Sequence, residues 1–173
     1  MWGTAGVSDA NCIDQQAGME WGISLLTAAL DGANLIHDVG YLGQGMIGHP
    51  AALVICAEII SYTKRLTRGF GIDDSDISMD VIRKVGPQGD FFNIHHTLKG
   101  FRKEHWLPEL SNRMPLPTWN SFGSPTLLDK AVEKAQAILR DYQPVPLMQG
   151  AQETLDALRN DAVKKMQAIL FES

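Results

Sequence analysis

The fold is decided by residues 3–40, which read GTAGVSDANCIDQQAGMEWGISLLTAALDGANLIHDVG. Residues 3–7 and 34–39 are short apolar runs bounded by turn residues, and each predicts a short strand. Residues 14–30 predict a helix, because apolar residues recur every three or four positions at Ile13, Ala17, Trp21, Leu25 and Ala28. A strand, a helix and a second strand in this order predict a parallel pair with a right-handed crossover.

The remaining sequence predicts mainly helices. A glycine-rich loop over 40–48 lacks the Lys and Ser/Thr of a phosphate-binding loop, and His49-Pro50 opens a helix that turns basic towards Arg68. Further helices are predicted over 72–85, 98–106 and 124–142, with Ser124 as the N-cap of the third, and residues 114–119 predict a proline-rich loop. A last amphipathic helix carries Leu155, Leu158, Ala162, Met166 and Ile169.

Composition argues against several classes of function. The 173 residues are 45% hydrophobic and 20% charged, as in globular proteins, and the formal charge of −5 argues against a nucleic-acid binder. No apolar run reaches the roughly 20 residues that span a bilayer, and the first residues lack the pattern of a signal peptide. Cys12 and Cys56 form no CxxC pair. We therefore expect a cytoplasmic protein with no membrane partner, and we expect both thiols to be buried.

Two polar clusters follow the predicted strands. In parallel α/β folds the functional side chains lie on loops at the carboxyl ends of strands, and this rule selects Ser8, Asp9 and Asn11 after the first strand and His37, Asp38 and Tyr41 after the second. For three of these residues the sequence is also compatible with a structural role. Asp9 also suits a helix cap or a turn, His37 a structural core position, and Tyr41 simple packing.

Glu20, His95 and His96 are three further polar candidates. Glu20 is interpreted as a solvated or helix-pairing residue. The adjacent residues His95 and His96 suggest a metal-binding site. On a strand, however, neighbouring residues point to opposite faces, and the sequence has no HxxxH or CxxC spacing that would supply further ligands. We therefore predict no metal site.

Two long runs of the sequence resemble the C-terminal region of the trimethylamine methyltransferase family. They are AGVSDANCIDQQAGMEWGISLLTAALDGANLIHDVGYLGQGM and DVIRKVGPQGDFFNIHHTLKGFRKEHWLPEL, followed by a TW…F…A…ILRDYQP ending. The resemblance implies a helix-rich α/β fold, the last βα units of a (β/α)8 TIM-type barrel. The sequence predicts only two strands, and two strands cannot make a stable sheet or barrel, so we expect the chain to be incomplete by itself. On this reading residues 1–143 hold the barrel units with appended helices, and 144–173 hold the C-terminal helix.

The resemblance also implies an activity in methylamine metabolism and methanogenesis. The family transfers a methyl group from a methylated amine, trimethylamine or a quaternary amine such as a betaine, to the cobalt of a corrinoid on a small separate protein. No cofactor is expected to bind this chain directly. Members of the trimethylamine branch use pyrrolysine upstream of the SDA-type motif, and this chain contains none. The segment around His95 is characteristic of the family and implies a place at the barrel mouth.

These observations give one hypothesis and two alternatives. We predict catalytic roles for His37 and Asp9 and substrate-binding roles for Ser8, Asp38, Tyr41 and His95, with acidic groups favouring a cation and Tyr41 offering it an aromatic face. One alternative is a non-catalytic α/β fragment that pairs through its sheet edge with a missing N-terminal half. The other is a small metal hydrolase that uses His95, His96 and nearby acids. A homo-oligomer remains open in each case.

Overall fold

The computed structural model describes residues 2–171, and its first elements form the predicted strand–helix–strand unit. Strand β1 is Trp2–Thr4, helix α1 is Gln15–Leu30 and strand β2 is Leu35–His37. β1 and β2 are parallel, with Trp2 opposite Leu35 and Thr4 opposite His37. Both strands are shorter than predicted because glycines and left-handed residues interrupt the extended backbone beyond them.

The second strand contains one extra residue beyond this pairing. A parallel bridge joins Val7 to Tyr41, so three steps along the first strand match four steps along the second. Asp38 takes up the extra residue in a left-handed conformation with φ 66°. This is the arrangement of a β-bulge, which re-aims the side chains that follow it.

The predicted glycine-rich loop over 40–48 contains a small hairpin, so this prediction was wrong in part. Strands β3, Tyr41–Leu42, and β4, Ile47–Gly48, pair antiparallel. Gly40 precedes the hairpin with φ +87°, and a Cβ there would lie 3.1 Å from the backbone nitrogen of Leu53. Glycine is therefore required at this position by both conformation and space.

Helix α2, Pro50–Thr67, packs against α1 and forms the core with it. α1 begins at the N-cap Asp14, whose carboxylate accepts from the Ala17 amide at 3.1 Å. α2 begins at the N-cap His49, with Pro50 in the first turn as predicted. The buried residues are mostly small, which lets the helices approach closely: Ala17, Trp21 and Leu25 of α1, and Ala51, Ala52, Ile55 and Cys56 of α2.

One face of the parallel pair is packed and the other is open. Ala5 is 4% exposed, and Ile36 packs against the same core. On the opposite face Trp2 is 70% and Leu35 is 58% exposed, beside His37. Within residues 2–171, β1 and β2 pair only with each other over their length. Strands β1 and β2 therefore have one uncovered face and two unpaired edges. We call this face, together with its two edges, the open sheet face.

The two cysteines differ in burial. Cys56 is buried in α2, and desolvation raises the pKa of its thiol to about 12. Cys12 lies exposed on the loop before α1, so the expectation that both thiols are buried was wrong for Cys12. The physical reason is that Cys12 precedes the first helical turn and lies outside the apolar stripe of α1.

Glu58 fixes a distant loop to α2. Its carboxylate accepts from the backbone amides of Glu109, Leu110 and Ser111 at 2.9, 2.6 and 2.7 Å, and from the Ser111 hydroxyl at 2.5 Å. Desolvation raises the pKa of Glu58, but these hydrogen bonds together outweigh it and leave the pKa below its usual value. The loop is thereby held against α2, with Leu110 in the core.

The helices beyond α2 depart from the predicted ranges. The predicted helix over 72–85 is two short helices, α3, Asp74–Ile77, and α4, Met79–Val85. Ser78 separates them with φ 54°, a left-handed conformation that ends one helix before the next begins. Helix α5 is His95–Glu104 rather than 98–106. Its C-terminus is held to α2 by Arg65, which donates to the Glu104 carbonyl at 2.7 and 3.0 Å.

Two predictions around residues 114–126 were also wrong. The predicted proline-rich loop contains helix α6, Leu116–Ser121, which begins with Pro117 in its first turn, where proline is tolerated. Helix α7, Leu127–Asp141, is capped by Thr126 and not by Ser124. The Thr126 hydroxyl accepts from the Asp129 amide at 3.1 Å, and the Asp129 carboxylate accepts from the Thr126 amide at 2.8 Å.

The chain divides into two compact units, the first ending at Leu139 and the second beginning at Arg140. The described part of the second unit holds the last two residues of α7, a segment without helix or strand over 142–150, and helix α8, Ala151–Phe171. α8 carries the apolar stripe that the sequence predicts. No described helix is long and apolar enough to cross a membrane.

Candidate functional site

The structure brings the two predicted polar clusters side by side at the carboxyl ends of the parallel strands. The Gly40 amide donates to the Gly6 carbonyl at 2.8 Å, and the Ser8 amide donates to the Tyr41 carbonyl at 3.0 Å. The indole of Trp21, buried in α1, donates to the same Tyr41 carbonyl at 3.1 Å. The backbone that carries Ser8 and Asp9 is therefore fixed to the backbone that carries Asp38 and Tyr41.

A short hydrogen bond joins Ser8 to Glu20. The buried Ser8 hydroxyl donates to Glu20 Oε2 at 2.6 Å, and the Asp9 amide donates to the same oxygen at 2.9 Å. Gln16 donates to Glu20 Oε1 at 2.9 Å. The hydrogen bonds from Ser8, Gln16 and the Asp9 backbone, in this order, lower the pKa of Glu20, so it is a carboxylate at neutral pH.

The interpretation of Glu20 as a solvated or helix-pairing residue was therefore incomplete, because Glu20 pairs with Gln16 along α1 and also contacts the strand-end loop. In a βα unit the first half of the helix lies at the carboxyl end of the preceding strand, so a side chain there reaches the strand-end loop. The Gln16–Glu20 spacing of four residues, one turn of α1, was a signal for this arrangement.

Asp9 is exposed beside Glu20. Its carboxylate has no hydrogen-bond or ion-pair partner among residues 2–171, and it borders a shallow pocket of about 400 Å³ with Met19 and Ile23. Of the two alternatives for Asp9, the cap of α1 was wrong, because Asp14 occupies the N-cap position, while Asp9 does lie in a bend of the loop. Two carboxylates, one fixed and one free, therefore lie at the end of the first strand.

His37 is oriented by its neighbours on the open sheet face. Its Nδ1 lies 2.7 Å from Asp38 Oδ2, its Nε2 lies 3.1 Å from the Thr4 hydroxyl, and its ring meets the edge of Trp2 at a centroid distance of 5.1 Å. If Nδ1 donates to the carboxylate, Nε2 is the acceptor for the hydroxyl. His37 and Asp38 are about half exposed, with side-chain exposures of 40% and 44%.

Asp38 and Tyr41 also line a pocket between the strand ends and α2. This pocket has a volume of about 500 Å³ and is bordered by Gly40, His49 and Leu53. Tyr41 is 42% exposed. The pocket thus combines one carboxylate with one accessible aromatic ring, a combination that suits a cation.

His95 does not join this cluster. It is exposed at the first turn of α5, and none of its hydrogen bonds, ion pairs or ring contacts within residues 2–171 involves the strand ends. The sequence interpretation of His95-His96 as strand residues on opposite faces was wrong, because both lie in a helix. His96 Nε2 lies 2.7 Å from the Ser78 hydroxyl. Across the described residues, no group of three His, Cys, Asp or Glu side chains has a metal-binding arrangement.

A family model described as trimethylamine methyltransferase matches residues 1–168. The chain belongs to the trimethylamine methyltransferase family. The matched range includes both strand ends, the Ser8–Glu20 contact and the pocket beside Tyr41.

Individual relatives agree with this assignment. The chain is 30% identical over 157 residues to the trimethylamine methyltransferase MttB of Desulfitobacterium hafniense, covering 91% of this chain and 32% of that protein. It is 33% identical to the glycine betaine methyltransferase of another strain of Desulfitobacterium hafniense, covering 82% of this chain and 30% of the relative. It is also 33% identical to the trimethylamine methyltransferase MttB of Methanosarcina barkeri, covering 94% of this chain and 30% of that protein. The chain spans about a third of the length of these relatives.

Proposed function

We propose that this chain forms part of a methyltransferase that moves a methyl group from a methylated amine to the cobalt of a corrinoid carried by a small partner protein. The substrate class is trimethylamine or a quaternary amine such as a betaine. The observation that carries the proposal is the family match over residues 1–168, which includes the strand ends where Asp9, Glu20 and Asp38 lie.

The open sheet face supports a barrel as the complete fold. In a (β/α)8 barrel each strand packs helices on its outer face and lines the interior with its inner face, and both of its edges are paired. One face of β1 and β2 packs against the helical core, as the outer face of barrel strands does. Trp2 and Leu35, which are 70% and 58% exposed, lie on the opposite face. Further βα units would pair the free edges and cover these side chains.

The charge of the strand ends supports a cationic substrate. Glu20 is held ionised by its hydrogen bonds, and the carboxylates of Asp9 and Asp38 are exposed nearby on the same strand-end loops. An opposite charge within a few ångströms favours a bound cation, more strongly where water is excluded. Tyr41 adds an aromatic face, which attracts quaternary ammonium groups.

The reaction is a nucleophilic displacement at a methyl carbon. The electron pair of the reduced cobalt forms the new cobalt–carbon bond, and the pair of the broken N–CH₃ bond stays on nitrogen. A quaternary amine, or a protonated tertiary amine, then leaves as a neutral amine, so no protein proton is consumed. The residues of this chain would act by holding the cation with its methyl group towards the acceptor.

Methyl transfer tests the assignment of Asp9 and His37. In the longest gene product that carries this chain, Asp9→Ala and His37→Ala should each lower the rate of corrinoid methylation by about tenfold or more, which corresponds to about 1.4 kcal/mol of lost transition-state binding. Absorbance of the methylated corrinoid partner, measured with trimethylamine and glycine betaine in turn, gives the rate.

Glu133→Ala is the matched control, because Glu133 is exposed on α7 and has no hydrogen-bond or ion-pair partner in the described residues. Circular dichroism shows whether each variant keeps its helices. Rates for Asp9→Ala and His37→Ala equal to that of Glu133→Ala would refute their assignment.

The open sheet face also favours a second candidate, a non-catalytic α/β module that pairs with another chain. Unpaired strand edges add strands from a partner through backbone hydrogen bonds. This candidate predicts stable pairing with an N-terminal segment and no corrinoid methylation by the resulting complex, and the same assay therefore separates the two.

A further inference from the structure

The apolar stripe of α8 is exposed. Leu155, Leu158, Met166 and Ile169 are 52%, 61%, 62% and 70% exposed, and Ala162 at the centre is exposed as well. At about 100° per residue these five side chains fall within an arc of about 80°. A narrow stripe of this kind is typical of a helix that pairs with another helix.

The stripe is symmetric about Ala162. Leu158 and Met166 each lie four residues from it, and Leu155 and Ile169 each lie seven residues from it. If two such helices cross antiparallel at Ala162, Leu158 of one faces Met166 of the other, and Leu155 faces Ile169. The small Ala162 side chains allow the axes to approach closely at the crossing.

The charge of α8 is also arranged for an antiparallel partner. The first half, 151–161, holds Glu153, Asp156 and Asp161 against Arg159, a net charge of −2, while the second half, 162–171, holds Lys164 and Lys165, a net charge of +2. An antiparallel pair places each acidic half beside a basic half, whereas a parallel pair places like charges together. The helix dipoles also oppose one another favourably in the antiparallel pair.

We propose that α8 pairs antiparallel with α8 of a second copy of this chain. In a two-fold antiparallel pair each flank lies beside the same flank of the other helix. Lys165 then lies about 3 Å along the axis from Asp161 of the second copy. Within one chain Lys165 already contacts Asp161 at 2.7 Å, so pairing extends this contact into a four-charge network. Two helices of this length bury less than a standard interface, and the dimer is expected to dissociate in the micromolar range.

Cysteine cross-linking tests the crossing point. In the full chain with Cys12→Ser, which removes the exposed thiol, Ala162→Cys should form a covalent dimer on mild oxidation because the two-fold axis brings the two thiols together. Ala157→Cys is the matched control, since it lies about 140° around the same helix. Equal cross-linking at both positions, or none at Ala162→Cys, would overturn the proposal.

Charge reversal tests the orientation of the pair. Sedimentation velocity over about 5–200 μM should give a dimer that Lys165→Asp weakens by about tenfold, and that Asp161→Lys combined with Lys165→Asp restores. A parallel pair, which places like charges together, would not be weakened by Lys165→Asp, and a different protein partner or packing of α8 on its own chain gives no dimer. A chain that stays monomeric over this range would also overturn the proposal.

Discussion

Glu20 organises the end of the first strand through a single carboxylate. It accepts from the buried Ser8 hydroxyl, the Asp9 amide and the Gln16 side chain. The Ser8 hydroxyl in turn accepts from the Ala10 amide at 3.0 Å. Ser8 is 2% exposed, so without Glu20 its hydroxyl would lose its acceptor in a place that water cannot easily reach.

We expect Glu20→Gln to destabilise the chain in a pH-dependent way. The pKa of Glu20 is lowered in the folded state, mainly by the Ser8 hydrogen bond. Its contribution to stability is therefore fully present above the unfolded pKa, near 4.5, and is lost as pH falls through the lower folded value. Urea unfolding at a series of pH values should show wild type more stable than Glu20→Gln at pH 7, with the gap closing in acid.

Glu133→Gln removes an exposed charge of the same type and is the control for this series. Its stability difference from wild type should stay small and nearly constant with pH. A gap for Glu20→Gln that persists unchanged below the folded pKa would mean that shape, and not charge, gives Glu20 its effect.

The sequence predicted part of this cluster for a clear physical reason. Ser8 and Asp9 follow β1, His37 is the last residue of β2 and Asp38 follows it. Parallel strands end at one edge, so the proximity of these residues follows from topology. Glu20 was missed because its role depends on which face of α1 turns towards the loop. His95 was placed near the site from family resemblance, and the structure gives it no contact there.

At the scale of elements, Glu58 holds the loop at 109–111 to α2. Three backbone amides and one hydroxyl share its carboxylate, and α2 supplies the only charged acceptor for them among the described residues. Trp106 strengthens the same junction by donating to the Ser61 hydroxyl at 2.9 Å and stacking near Tyr62. An acidic residue inside the apolar run of α2 was the sequence signal for such a role.

We expect Glu58→Ala to lower the free energy of unfolding by about 2–3 kcal/mol, because charged hydrogen bonds of this kind are strong and the amides lose their acceptor. The lowered pKa of Glu58 adds a pH dependence, with the stabilisation present above the unfolded pKa and lost as pH falls through the folded pKa. Denaturant unfolding at neutral pH measures the difference.

For this helix junction Glu133→Ala serves as the comparison, with an expected change within about 0.5 kcal/mol. If both substitutions cost the same, the loop at 109–111 does not depend on the Glu58 carboxylate.

The long helices were predictable because their apolar periodicity and caps agree, as at His49-Pro50 in α2. The short elements were not. β3 and β4 have two residues each and no periodicity, and α6 begins inside a proline-rich run. The break at Ser78 depends on a left-handed non-glycine residue, which the sequence pattern gives no means to foresee.

At the scale of the whole molecule, the open sheet face leaves two large apolar side chains exposed. Its apolar side chains Trp2 and Leu35 stand beside each other on paired strands. We expect Trp2→Lys combined with Leu35→Lys to reduce binding of the dye ANS by the chain, because the substitutions remove the adjacent apolar surface. Dye fluorescence at fixed protein concentration measures the effect.

Phe70→Lys combined with Ile72→Lys is the matched control, since these side chains are 83% and 75% exposed on the segment between α2 and α3. It should change dye binding much less. An equal loss of dye fluorescence for both double variants would mean that the dye binds scattered apolar residues and not the open sheet face.

The extra residue at Asp38 has a consequence for how this chain tolerates changes in length. Thr4 opposite His37 and Val7 opposite Tyr41 are both fixed pairings, so the number of residues between them is set on each strand. Deleting one residue between His37 and Tyr41 would remove the bulge, change the direction of the side chains that follow it and carry Tyr41 away from its pocket. Insertions in the exposed segment between α7 and α8 move no such pairing. Among related chains, gaps should therefore gather between α7 and α8 and be absent from residues 37–41.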